Sequence, residues 1–293
     1  MSEVWTIKKV LNWTSDYFSK AGVDSPRLTA EMLLSYVLKL SRIDLYTNFD
    51  RVIEKPQLNK LHILIKRTSD HEPVAYLIGR TEFYSLEIEV NKFTLIPRPE
   101  TELLVERAIE LMRDRRGRQY VCDLCTGSGC VGVAIAKNFE NCEILATDIC
   151  DSALQVAAKN VKKHGVEDKV KLLSGDLFDP VLPELDVDKF DLIVSNPPYV
   201  SVEEFENLDS NVRVYEPKLA LLAGEDGLDI YRRIAEQVDN YLADGGVLML
   251  EIGYAQGSAV KELLEQAGCF EEIKIEKDFQ GHDRIVTAFK KGD

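Results

Sequence analysis

The chain has 293 residues, 45% of them hydrophobic, and a formal net charge of -14. It is longer than one average domain and has enough apolar material for a sizeable core, so one large and one small domain are expected. No apolar run approaches the roughly 20 residues that cross a bilayer, and Met1 to Lys20 lacks a basic segment followed by an apolar block, so a soluble cytoplasmic protein is expected and a membrane partner is not.

The six cysteines, Cys122, Cys125, Cys130, Cys142, Cys150 and Cys269, lie mostly in one apolar-rich stretch instead of spreading as a disulfide framework, which fits a reducing compartment. Charge divides unevenly. Residues 1 to 80 hold 12 basic and 9 acidic side chains, a net of +3, and the remainder holds 24 and 41, a net of -17. So acidic a region is a poor match for a phosphate backbone, which is bound through Lys and Arg.

Taken in chain order, the first elements are helical: Trp5 to Lys20, then a segment opened by Ser25 and Pro26 and running to Leu40, then Pro56 to Ser69. Ser25 is expected to cap its helix, with Pro26 at the first position, where a missing N–H is harmless. Leu28, Met32, Leu33, Tyr36, Val37 and Leu40 recur at helical spacing, giving a small bundle over residues 1 to 80. From Thr81 to Leu95 the period changes to two, with Leu86, Ile88 and Val90 alternating against Glu87 and Glu89, and a hairpin linker is expected. Ile96-Pro97-Arg98-Pro99 marks a boundary, and a helix follows from near Glu100 through Leu111.

From Tyr120 onward, short apolar runs alternate with helical patterns. Strands are expected at Tyr120 to Leu124, Glu143 to Thr147, Val170 to Leu173, Phe190 to Ser195, Val247 to Ile252, Ile273 to Glu276 and Ile285 to Phe289. Helices fit Val131 to Asn138, Ser152 to His164, Leu228 to Leu242 and Ser258 to Ala267. This is the pattern of an α/β, mainly parallel sheet with helices on both faces.

The first of these strands runs into Asp123-Leu124-Cys125-Thr126-Gly127-Ser128-Gly129, a turn whose main-chain N–H groups can approach a ligand closely. No phosphate-loop pattern and no complete G-x-G-x-x-G is present, which weighs against a nucleoside triphosphate or a dinucleotide. Asp148, about 20 residues after that turn, is placed to accept hydrogen bonds from ribose hydroxyls. Asp176 and Leu177 end the third strand beside an expected adenine pocket, so three strand ends converge on an adenosine-like ligand. Cys122, Cys125 and Cys130 lack the second ligand pair or nearby histidine that zinc wants, and no metal is expected.

The most specific motif is Asn196-Pro197-Pro198-Tyr199, directly after the strand Phe190 to Ser195. A carboxamide or aromatic amine has a delocalised nitrogen lone pair, so it is planar and weakly nucleophilic and must be aimed. The Asn196 side-chain oxygen and the Pro197 carbonyl can accept its two N–H groups. Two prolines stiffen those acceptors, and Tyr199 can cover the planar face. The residues therefore point to methyl transfer from S-adenosylmethionine to a planar amide or amino nitrogen.

These motifs resemble the protein-glutamine N5-methyltransferases of the HemK or PrmC type, which modify peptide chain release factors. The resemblance also covers Glu72 to Gly79, Glu82 to Leu86, Ile96-Pro97-Arg98-Pro99-Glu100-Thr101-Glu102, Tyr215-Glu216-Pro217, Asp226-Gly227-Leu228 and Asp283-Arg284. It implies a Rossmann-like, seven-stranded class I methyltransferase domain over 96–293, a hairpin linker over 81–95, and a helical substrate-recognition domain over 1–80. It implies S-adenosylmethionine as cofactor and the glutamine of a release-factor Gly-Gly-Gln motif as substrate, methylated to modulate translation termination; the protein itself is expected to be a monomer. Asp123, Cys125, Thr126, Gly127, Ser128, Gly129, Asp148, Asp176, Leu177 and Asn196 would contact the cofactor. Asn196, Pro197, Pro198 and Tyr199 would hold the glutamine. Cys125 stands where glycine is common, and Leu177 where tryptophan can occur.

Three rival readings are a DNA adenine or cytosine amino-methyltransferase, a methyltransferase acting on RNA or on a ribosomal-protein glutamine, and a non-catalytic adenosine-binding module. The first must flip a base and grip a duplex, and the charge balance disfavours it. The last has no use for an amide-aiming turn.

Overall fold

The computed structural model describes residues 4–181 and 189–292. They form two compact units, one running through Gly79 and taking in Ser210–Tyr215, the other comprising Arg80–Asp209 and the chain from Glu216 onward.

The first unit is helical: α1 Ile7–Ala21, α2 Pro26–Leu38, α3 Arg42–Thr47, α4 Lys55–Ser69 and α5 Val74–Ile78. Ile7, Leu11, Phe18, Leu33, Leu34, Leu45 and Leu61 fill its core. α1 is capped by the Thr6 side chain and closed by left-handed Gly22. Ser25 does not cap α2. It takes a left-handed backbone with φ 45°, and from there its hydroxyl makes no cap bond, because a side-chain cap needs an extended backbone. Pro26 does occupy the first helical position. α3 and α5, too short to show a full apolar period, went unseen in the sequence.

The second unit opens with the hairpin β1 Arg80–Phe83 and β2 Leu86–Glu89, joined through Tyr84 and Ser85, both at positive φ. Next come α6 Thr101–Arg113, β3 Gln119–Leu124, α7 Cys130–Asn138, β4 Cys142–Asp148, α8 Asp151–His164, β5 Val170–Ser174 and β6 Phe190–Ser195. After α9 Val202–Glu206 and α10 Ser210–Tyr215, the chain runs through α11 Asp229–Gln237, β7 Leu242–Glu251, α12 Gly257–Ala267, β8 Phe270–Lys277 and β9 Asp283–Lys290. α10 is the piece grouped with the helical unit, where the Tyr215 hydroxyl donates to the Asp70 carbonyl at 3.1 Å.

Seven strands lie in the order β5-β4-β3-β6-β7-β9-β8. The first five are parallel, and β9 runs antiparallel to both β7 and β8. The central strands read as continuous apolar runs because both of their faces are covered. One sequence expectation is corrected here: the helix placed over Leu228 to Leu242 stops at Gln237, a single tight turn follows, and Leu242 already pairs with Phe190 as the start of β7. The pairing then slips between Phe190 and Leu192, and Gly245 and Gly246 absorb the irregularity.

Fully buried Asn160 on α8 fixes the hairpin to the sheet unit. Its side-chain oxygen accepts from the Glu89 N–H at 2.7 Å, and its amide nitrogen donates to the carbonyls of Glu89 and Ser128, each at 2.9 Å. One side chain thereby ties the hairpin to the glycine-rich turn.

Candidate active site

Ligands of open parallel sheets bind beyond the carboxyl ends of the strands. There the second unit holds a cavity of about 450 Å³. Asp123, Cys125, Thr126, Gly127, Ser128, Asp148, Asp176, Leu177, Asn196 and Pro198 all line it. Gly129, Pro197 and Tyr199 are not among the lining residues.

The turn after β3 is left-handed at Cys125, Gly127 and Gly129. Glycine is required at 129, because with φ 77° an added Cβ would lie 3.1 Å from the Ala157 Cβ. Asp123 braces the turn from below: its Oδ2 accepts the Thr126 hydroxyl at 2.6 Å and the Gly132 N–H at 3.1 Å. This carboxyl is 1% exposed, and burial pushes it up to about 7, against the opposing pull of those two donors.

Asp148 closes β4 with both oxygens engaged, Oδ2 accepting from the Gly127 N–H and Oδ1 from the Cys150 N–H, each at 2.8 Å. Burial raises its pKa as well, while the two amides hold it down. Asp176 pairs with Arg233 at 2.8 Å, and Leu177, left-handed at φ 48°, accepts the Thr147 hydroxyl on its carbonyl at 3.0 Å.

Asn196 follows β6 directly, and its Nδ2 donates to the Thr101 hydroxyl at 3.1 Å. Ser195 beneath it donates to the Leu124 carbonyl at 2.8 Å, locking β6 to β3 at the site. The carbonyl of Tyr199 accepts from Gln256 Nε2 at 2.9 Å. Gly227 passes so close to this carbonyl that an added Cβ would sit 2.4 Å from it, so only glycine fits. Burial pushes the Tyr199 phenol up to about 12, so the ring stays neutral.

Across the cavity mouth, Ile96 to Pro99 is tied to the Tyr215-Glu216-Pro217 stretch. Buried Glu216 accepts from the Ile96 N–H at 3.3 Å and from the Arg98 guanidinium. Burial raises the thiols of Cys122, Cys125 and Cys130, the last two to about 12, so they are protonated and weak as ligands or nucleophiles. Among the described residues no three His, Cys, Asp or Glu side chains gather as a metal site. No helix among them is long and apolar enough to cross a membrane.

Thr101, Asn160, Gln256 and the Glu216–Arg98 pair were not singled out from the sequence as parts of the site. Thr101, Glu216 and Arg98 sit inside segments that stand out as motifs, but their partners lie some hundred residues away and leave no local signal.

A seven-stranded sheet in this order, with a glycine-rich turn after its central strand and Asn-Pro-Pro-Tyr after the adjacent one, defines a methyltransferase. A crystal structure of a methyltransferase from Pyrococcus furiosus shares the fold, with a TM-score of 0.51 at 20% identity over 72% of this chain and 91% of that one. Family models of the PrmC N-terminal domain and of the methyltransferase small domain match residues 9–79 and 100–212. The release factor glutamine methyltransferase of Rhodopirellula baltica is 43% identical over 98% of this chain and 97% of its own length. That of Geobacter sulfurreducens is 40% identical over 97% of this chain and 96% of its own. The chain belongs to the release factor glutamine methyltransferase family.

Proposed function

We propose that the protein transfers the methyl group of S-adenosylmethionine to the side-chain amide nitrogen, N5, of the glutamine in the Gly-Gly-Gln motif of peptide chain release factors, and so modulates translation termination. The observation that carries this reading is Asn196 on the cavity wall, its nitrogen anchored on Thr101 and its oxygen left to receive an amide N–H. The names of the relatives support the choice of substrate.

The residues present suit the cofactor. The turn from Cys125 to Gly129 offers main-chain groups at close range, Asp148 keeps lone pairs for ribose hydroxyls, and Asp176 and Leu177 flank the place for the adenine. When bound, S-adenosylmethionine supplies an electrophilic methyl group on a positively charged sulfur. The work of the chain is to aim the amide. The Asn196 oxygen and the Pro197 carbonyl take its two N–H groups, and the prolines keep both acceptors in place without reorganisation. A strong base is unnecessary, because a methylated amide nitrogen that still carries its extra proton is very acidic and loses it to water.

We assign substrate selection to the helical unit, since the pocket accepts any planar amide presented to it and residues 1 to 80 carry a net +3 against -17 elsewhere. Six unpaired cysteines support a cytoplasmic setting.

The test is labelling with radioactive S-adenosylmethionine in the presence of a release factor, the same factor with its Gly-Gly-Gln glutamine changed to alanine, and duplex DNA. Label is expected in the unaltered factor alone. Label in the DNA, or equal label in both factors, overturns the assignment.

A further inference from the structure

Glu251 ends β7, is 1% exposed, and among the described residues leaves its Oε2 without a hydrogen-bond partner. The pairing of Ser195 with Leu250 brings Asn196 and Glu251 next to each other at the ends of β6 and β7. Thr101, the first residue of α6 and 2% exposed, stands by both: its hydroxyl accepts the Asn196 Nδ2 at 3.1 Å, and its influence on the Glu251 carboxyl favours the ionised form. A hydroxyl has one proton and two lone pairs. If the proton goes to the carboxylate, only lone pairs remain toward Asn196, and only the NH₂ end of the carboxamide can meet them. The oxygen is then the end left for a ligand.

We propose that Thr101 and Glu251 form a positioning relay that fixes which end of the Asn196 carboxamide faces the methyl acceptor. It rests on the reading of Asn196 as the residue that receives the amide N–H. Glu251 touches no ligand; its ionised form orients the Thr101 hydroxyl, and that hydroxyl orients Asn196. Once Glu251 is protonated, the hydroxyl is released to donate to the Asn196 oxygen. The carboxamide then turns and presents N–H to N–H.

The electrostatics place this change in the neutral range. Burial pushes the Glu251 carboxyl up to about 7, against the Thr101 hydroxyl and the cations Arg284 and Arg98, while Glu100 pushes it further up. Tyr199 and Tyr231 also face it, both held neutral by burial, with the Tyr231 hydroxyl donating to the Glu251 main-chain carbonyl at 2.8 Å.

The experiment compares Thr101→Val, Thr101→Ser and Glu251→Gln in the full chain. Thr101→Val is expected to lower kcat for release-factor glutamine about 10²-fold with KM and cofactor affinity held, as a misdirected group does. Thr101→Ser keeps the hydroxyl and the rate. Wild-type kcat falls as the pH drops through about 7, and Glu251→Gln abolishes that fall. A wild-type rate in Thr101→Val, an equal loss in Thr101→Ser, or an acid limb that survives Glu251→Gln overturns the relay. Solvent exchange of the Asn196 side-chain amide protons, read by NMR, tests the relay independently of activity. Exchange is expected to be slow in wild type and Thr101→Ser and fast in Thr101→Val, and equal protection in all three refutes the proposal. If wild type labels no glutamine while the exchange pattern holds, the substrate reading has failed and the relay stands.

Discussion

On one side of the cavity the wall is backbone. Cys125, Gly127 and Gly129 bend it with left-handed φ, and the carboxylates of Asp123 and Asp148 are engaged by main-chain amides and the Thr126 hydroxyl. On the other side, with Thr101 and Pro198 also on the wall, stands the side chain of Asn196, stiffened by two following prolines and anchored on the Thr101 hydroxyl. The first side derives its shape from the path of the chain, with left-handed backbone at Cys125, Gly127 and Gly129. The second depends on the direction of a single functional group. Affinity should therefore reside mainly in the turn and turnover in the amide.

The contrast breaks most plainly at Asn196. Asn196→Ala is expected to lower kcat by ~10² to 10³, the cost of one positioned polar contact in a transition state, with the cofactor dissociation constant unchanged. Steady-state kinetics beside calorimetry decides it, and wild-type turnover would remove Asn196 from the aiming role.

The mirror-image change is Asp148→Ala. Losing hydrogen bonds to a charged group should weaken cofactor binding by roughly 1.5 to 3 kcal/mol, with kcat at saturation retained. A fall in kcat with unaltered affinity would invert the division between the two walls.

Asp123 sharpens the comparison through pH. Its folded-state value of about 7 stands above that of an unfolded aspartate, so between these values the folded chain holds the extra proton, and stability falls as pH rises from about 4 to about 7. Asp123→Asn should flatten that slope by an amount on the order of 1 kcal/mol per pH unit in denaturant titrations. Glu251, raised in the same direction, keeps the slope from vanishing. An unchanged slope would mean that Asp123 is ionised throughout.

The smallest effect is expected at Cys125. Cys125→Gly places at φ 57° the residue that adopts it freely, and cofactor affinity should barely move. A large loss would show that the thiol itself contacts the ligand.

Much of this was readable in the sequence, because the central strands are apolar runs bounded by helical periods. Asp148 ends its strand, and the 125–129 turn and Asn196 follow theirs directly, so a local pattern carries the position of each. What escaped is non-local. Thr101 belongs to Asn196 across 95 residues, Asn160 to Glu89 across 71, and Glu216 to Arg98 across 118, and no periodicity encodes such pairs. The short helices α3, α5, α9 and α10 span too few turns to show an apolar stripe. β7 starts five residues before the expected Val247, because the strand already pairs at Leu242 and runs through Gly245 and Gly246 with a slip in register.

The strand order has one further consequence. The cavity is lined by strand ends together with loop and helix residues spread from Phe93 to Arg233, so the hollow exists only in the folded chain. Pairings so distant along the chain form late. A methyl donor bound there recognises the folded state alone and shifts the unfolding equilibrium by RT ln(1 + [L]/Kd). A ligand that fills the hollow therefore adds to the stability of the fold, and adds more as its occupancy rises.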